Sequence, residues 1–208
     1  MNKEEFQKLA VRTESIVDSI KVSERDAEGF IRALQGFVAV TEVLDAFKKH
    51  IFYAKDLDRE RVMDEMNIAL NQLHIASSQF FLAGEDSQDV ATLSMDPRIF
   101  HALLGTITEH GEIANAMIGP LKNEEELDIV NVCEELGDSD WYKALYYEAT
   151  GISWDDVQAM IIKKLEIRYA DKIFSAEEAA ERDLIAEGAV LVSSIIDSVN
   201  NYESKRDR

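Results

Sequence analysis

Apolar residues recur along this chain at spacings of three and four, the mark of amphipathic helices, and almost no alternating β-branched run interrupts them. Phe6, Leu9, Ala10, Ile16, Val17 and Ile20 form one such stripe and predict a first helix over about residues 3–20. Ser23 reads as an N-cap with Asp26 three residues later, opening a second helix that runs to about Tyr53. Phe30, Leu34, Phe37, Val38, Leu44 and Phe47 give that helix an apolar surface too wide for one stripe, so it is expected to lie centrally. A third helix opens near Asp58 and ends around Gly84, a C-cap residue. The polar stretch 85–94 is the linker candidate. Asp96 caps the fourth helix and Pro97 starts it, the first turn being where proline fits, and the helix is expected to stop at Gly119-Pro120. Asn123 and the acids that follow open a fifth helix, which ends before Gly151. Ser153 with Asp156 and Ser175 with Glu178 open two more, over about residues 154–167 and 176–200, and residues 205–208 read as frayed. The predicted class is all-α.

Composition narrows the function classes. The 208 residues are 46% hydrophobic and 30% charged, enough for one domain with a substantial core. A net charge of −19 argues against surfaces that track nucleic-acid phosphates or anionic lipid. The N-terminus lacks an apolar signal core and no apolar run approaches the ~20 residues of a membrane span, so no nucleic-acid and no membrane partner is expected. The single cysteine, Cys133, lies in an apolar helical context and reads as a small core residue, which fits a reducing, cytoplasmic setting.

The candidate chemistry lies in residues 102–145. Glu109 and Glu112 form an i,i+3 acidic pair on the fourth helix, and Glu135 and Asp138 form another on the fifth. With 41 Asp and Glu in the chain, about eight such pairs arise by chance, and most acidic side chains are solvated. The face around the first pair is what singles it out. Steps of three and four from it reach Ala102, Gly105, Thr106, Ile113 and Ala116, small or apolar residues suited to packing around a ligand. Antiparallel helices would bring the four carboxylates together, and such a cluster needs a cation; all-oxygen ligands favour Mg²⁺, with Mn²⁺ as a substitute.

A repeat supports this placement. Sliding the chain by 70 residues lays Glu42 on Glu112 and Glu65 on Glu135 without a gap, and seven identities fall within residues 31–77, among them Asp58 on Asp128. Ala39 stands opposite Glu109 and Ile68 opposite Asp138, so the first half has lost half its carboxylates. The expected architecture is a four-helix-bundle core made of two fused helix pairs, a pseudo-dimer with extra N- and C-terminal helices. It forms one all-α domain over 1–208, with a degenerate half at 24–84, an intact acidic half at 95–150 and C-terminal helices at 153–202.

The motif E-H-G-E at 109–112, followed by E-E-L-G-D-S-D-W-Y at 134–142, resembles the E-x-x-E and E-x-x-D signature of the all-α, MazG-like nucleotide pyrophosphohydrolases. The segments K-L-E-I-R-Y-A-D-K-I-F-S at 164–175 and F-K-K-H-I-F-Y-A-K-D-L-D at 47–58 are also similar to members of that family, phage and bacterial types included. His110, Asn115 and Ser139-Asp140 depart from its usual pattern. The resemblance implies Mg²⁺-dependent hydrolysis of a (deoxy)nucleoside triphosphate to the monophosphate and pyrophosphate, in a house-cleaning or nucleotide-pool role. It implies Glu109, Glu112, Glu135 and Asp138 as catalytic and metal residues, and a homodimer of pseudo-dimeric chains.

The residues suit that chemistry on their own terms. Carboxylate-held metal ions neutralise polyphosphate oxygens and activate water, and Glu112 or Glu109 is the expected proton acceptor. Lys48, Lys49, Lys55, Lys164 and Arg168 are the candidates to meet phosphate, although cations on an acidic helical protein commonly form weak surface pairs. Trp141 and Tyr142, just past Asp138, are candidates to stack on a base, against the commoner role of aromatics as core. A di-iron bundle is disfavoured, because none of the four histidines has a glutamate three residues before it. A non-catalytic helical adaptor or nucleotide-binding protein derived from such an enzyme is the competing class.

Overall fold

The computed structural model describes residues 1–83, 90–123, 125–169, 173–175, 178 and 183–206. It is all-α apart from one short strand pair: α1 (Lys3–Ala10), α2 (Glu24–Tyr53), α3 (Arg59–Ala83), α4 (Pro97–Asn123), α5 (Ile129–Thr150), α6 (Trp154–Arg168) and α7 (Leu184–Arg206). Each of these helices begins on a side-chain oxygen that accepts from a backbone N–H of the first turn, from Asn2, Ser23, Asp58, Asp96, Asp128, Ser153 and Asp183 in chain order. The chain divides into two compact units, Ser19–Ser94 and Met1–Asp18 with Met95–Arg208.

In the first unit α2 packs along α3. The contact is made close by small residues: Gly36 lies under Leu73, Gly29 under Phe80, and Ala39, Ala69 and Ala76 are buried. Arg25 reaches across to the carbonyl of Leu82 at 2.6 Å. The wide apolar surface of α2 is only partly covered, with Val38, Leu44 and Phe52 exposed. Strands β1 (Lys21–Ser23) and β2 (Val90–Thr92) pair antiparallel with Val22 opposite Ala91. The expected linker at 85–94 therefore ends in a strand, and its residues 85–89 lie outside the described residues.

The second unit pairs α4 with α5 and α6 with α7, and lays α1 against α5. Ala102, Ala144 and Leu145 are fully buried. Arg168 on α6 binds Glu187 on α7 through Nε and Nη2 at 2.9 and 2.8 Å, and both side chains are largely buried. Among the described residues, no helix is long and apolar enough to cross a membrane.

Four helix ends and one burial differ from expectation. The first helix stops at Ala10 because its carbonyl accepts from Trp141 Nε1 and Thr13 Oγ1, leaving Glu14 N to bond Val11 O in a 3₁₀ turn, Val11–Thr13. The fourth helix runs through Gly119-Pro120 to Asn123. One missing N–H near a helix end removes a single hydrogen bond, which the last turn tolerates. Asp128, rather than Asn123, therefore caps the fifth helix, which begins at Ile129. The last helix begins at Leu184, while most of the residues between Ser175 and Asp183 lie outside the described residues; Ser175 Oγ does accept from Glu178 N at 3.2 Å. Cys133 is exposed on α5, not in the core.

Candidate metal centre

The acids sit where α4 and α5 run side by side. Glu109, Glu135 and Asp138 each place a carboxylate oxygen within 4.8 Å of the others, with Glu135 buried, Glu109 half-buried and Asp138 exposed. Burial pushes the Glu135 carboxyl above its ordinary range, and the charge of Glu112, a hydrogen bond with Glu109 and the charges of Glu109 and Glu134 push the same way. Glu112 is exposed on α4 and stands outside the 4.8 Å set, yet near enough to act on Glu135. One turn beyond Glu135, Ser139 is fully buried and its hydroxyl has no hydrogen-bond partner among the described residues.

The helices approach closely beside the acids because Gly105 has no side chain. A Cβ there would lie 2.1 Å from the Tyr142 ring, so this glycine is what seats the ring against α4. Burial raises the Tyr142 hydroxyl, with the charges of Glu109 and Asp138 adding to it. Trp141 meets Tyr142 edge-on with centroids 4.9 Å apart, and His101 packs on both rings at 5.9 and 5.5 Å. Trp141 Nε1 donates to Ala10 O at 2.8 Å and Thr13 Oγ1 at 3.2 Å. Glu109, Asp138, Trp141 and Tyr142 together line a cleft of ≈ 310 Å³.

The structure thus brings together three of the four predicted acids and both predicted aromatics. Lys164 is half-buried on α6 in the same unit, and Arg168 is held by Glu187. Lys48 and Lys55 belong to the other unit, where Lys48 and Lys49 both bind Asp45 and Lys55 lines a small charged pocket with Glu42 and Arg61. Sequence reasoning missed His101, Ala10 and Thr13. The hydrophobic stripe carried no signal for contacts made by an indole N–H to a helix end more than a hundred residues away.

The donor set fits a hard divalent cation. Three carboxylate oxygens this close, one of them on the buried Glu135, are all hard oxygen donors of the kind that such a cation takes. No protein family, curated protein or solved structure matches the chain.

Proposed function

We propose that the chain is a Mg²⁺-dependent nucleoside triphosphate pyrophosphohydrolase of the all-α, MazG-like type, acting on a (deoxy)nucleotide in nucleotide-pool upkeep. The observation that carries this reading is the carboxylate triad of Glu109, Glu135 and Asp138 opening into a cleft walled by Trp141 and Tyr142. The triad would hold Mg²⁺, or Mn²⁺ in its place, and the ion supplies charge neutralisation for the polyphosphate. Glu112, which is exposed and lies outside the ligand set, would accept the proton of an attacking water. That water's oxygen bonds to the α-phosphorus, the bond to the α,β-bridging oxygen breaks, and pyrophosphate departs with the electron pair. Trp141 and Tyr142 offer ring surface to the base, and Lys164 is the cation of the same unit assigned to phosphate. Exposed Leu103, Met117, Ile118 and Leu121 on α4 support a homodimer, which light scattering would read as twice the chain mass.

The test is pyrophosphate release from a panel of standard ribo- and deoxynucleoside triphosphates with Mg²⁺ and with EDTA. Release with Mg²⁺ alone is the expected result. A chain that binds nucleotide but releases no pyrophosphate from any of them is a helical nucleotide-binding adaptor, and the proposal fails.

A further inference from the structure

We infer that the N-terminal segment 10–14 is the positioning element for the aromatic wall of the cleft: Ala10 and Thr13 hold the Trp141 indole where a planar base is received beside the acids. This rests on the nucleotide reading above for the identity of the ligand, and on geometry for the role of the segment. Trp141 lies one turn past Asp138 on α5 and lines the cleft with it. A tryptophan at the mouth of an open cleft has two free side-chain torsions, and its ring is a defined wall only if something fixes them. Its single donor is taken by two acceptors from one short segment, Ala10 O and Thr13 Oγ1, while His101 and Tyr142 pack on the ring itself.

That segment is itself tied down. Glu14, whose side chain is 4% exposed, accepts from Arg98 Nε and Nη2 at 2.6 and 2.7 Å, locking the 3₁₀ turn to the first turn of α4. Gln7 reaches Glu148 on α5 at 2.9 Å, Lys3 bonds Gln158 on α6, and Ala10 is buried. Thr13 also bonds Ala10 O at 3.0 Å, so both acceptors are held in register with each other. The α1 helix is polar and short, its one buried residue is Ala10 at the end that holds the indole, and Lys3 and Gln7 tie the rest of it to α6 and α5.

The experiment uses the full chain with Trp154→Phe, which leaves Trp141 as the sole tryptophan of the two. Thr13→Val keeps the shape and removes the acceptor, and Thr13→Ser restores it. Expected for Thr13→Val are an about fivefold rise in nucleotide KM with kcat held within about twofold, the scale of one hydrogen bond, and a shifted Trp141 emission maximum, both recovered in Thr13→Ser. Inorganic tripolyphosphate, which has no base, is the control and keeps its apparent affinity. Equal weakening of tripolyphosphate and nucleotide, or an unmoved emission maximum in Thr13→Val, overturns the positioning role. The two proposals fail separately. Nucleotide that quenches Trp141 without pyrophosphate release sinks the enzyme and leaves this inference standing, whereas turnover with Trp141 emission indifferent to nucleotide sinks the inference alone.

Discussion

Glu135 has little water to solvate it and is held among Glu112, Glu109 and Glu134, so the folded chain holds a proton there to higher pH than the unfolded chain does. A carboxyl raised in the folded state contributes stability that is complete below its ordinary value and is lost as pH rises through the raised one. In EDTA, the melting temperature of the wild type is therefore expected to fall more than that of Glu135→Gln as pH climbs from about 4.5, the ordinary glutamate value. Mn²⁺ competes with that proton and is expected to reverse the order, making the wild type the more stable of the two. Parallel curves with and without metal would remove the case for a cation here. The neighbouring acids separate by role. Glu112→Gln is expected to lower pyrophosphate release by about 10²–10⁴-fold, the usual worth of a general base, while leaving Mn²⁺ affinity near wild type. Asp138→Asn instead should raise the Mn²⁺ concentration needed for half-maximal turnover. If Glu112→Gln keeps its turnover, the proton goes elsewhere.

Helices are the scale at which most of the chain was legible, and their caps explain why. Ser23 with Asp26 and Ser153 with Asp156 were read from spacing and form the hydrogen bonds that the spacing implies. Two of the failures are tertiary in origin, since neither a helix end set by a distant side chain nor the choice of a helix's packed face leaves a local mark. Ala10 ends α1 because Trp141 takes its carbonyl, and Cys133 is exposed because apolar neighbours in sequence do not decide which face of α5 meets α4. Packing between helices yields its own prediction. Gly105→Ala gains helix propensity of up to about 1 kcal/mol but forces a methyl into the Tyr142 ring, and overpacking of about 1–3 kcal/mol wins. The expected net loss is about 1–2 kcal/mol in urea unfolding, whereas Gly188→Ala on α7, with nothing near its missing Cβ, should gain stability. Arg168→Met makes a parallel case on α6: it leaves Glu187 buried without its guanidinium and is expected to cost about 3 kcal/mol. A variant that melts like the wild type and only raises KM would return Arg168 to phosphate binding.

Across the whole molecule, the 70-residue repeat is the feature that sequence and structure share most closely. Tyr53 and Asn123 end α2 and α4, Arg59 and Ile129 begin α3 and α5, and Asp58 and Asp128 cap the latter two by the same bond to the residue three on, each at 3.0 Å. Two hairpins built in one register then differ in what fills it. Ala39 and Ala69, both 2% exposed, occupy in the first the places of Glu109 and Ser139 in the second, and Ile68 occupies that of Asp138. The identities of those residues were readable; what was not was the fate of the surviving Glu42, which Arg61 Nη2 binds at 2.8 Å from α3. A guanidinium thus supplies the positive charge for the first hairpin, at an exposed site where such a pair adds little stability. With the ligand count halved and one remaining carboxylate already paired, a hard cation has little to gain there. Under the proposed function, one nucleotide site per chain is expected. Replacing Glu42 and Glu65 together by Gln is expected to leave pyrophosphate release within about threefold of wild type, a change of under 1 kcal/mol in the barrier. Equilibrium titration with Mn²⁺ and a non-hydrolysable nucleotide should give a single site both before and after that change. Two equivalent sites in the wild type, or a double variant as inactive as Glu112→Gln, would mean that the first hairpin takes part in catalysis despite its alanines.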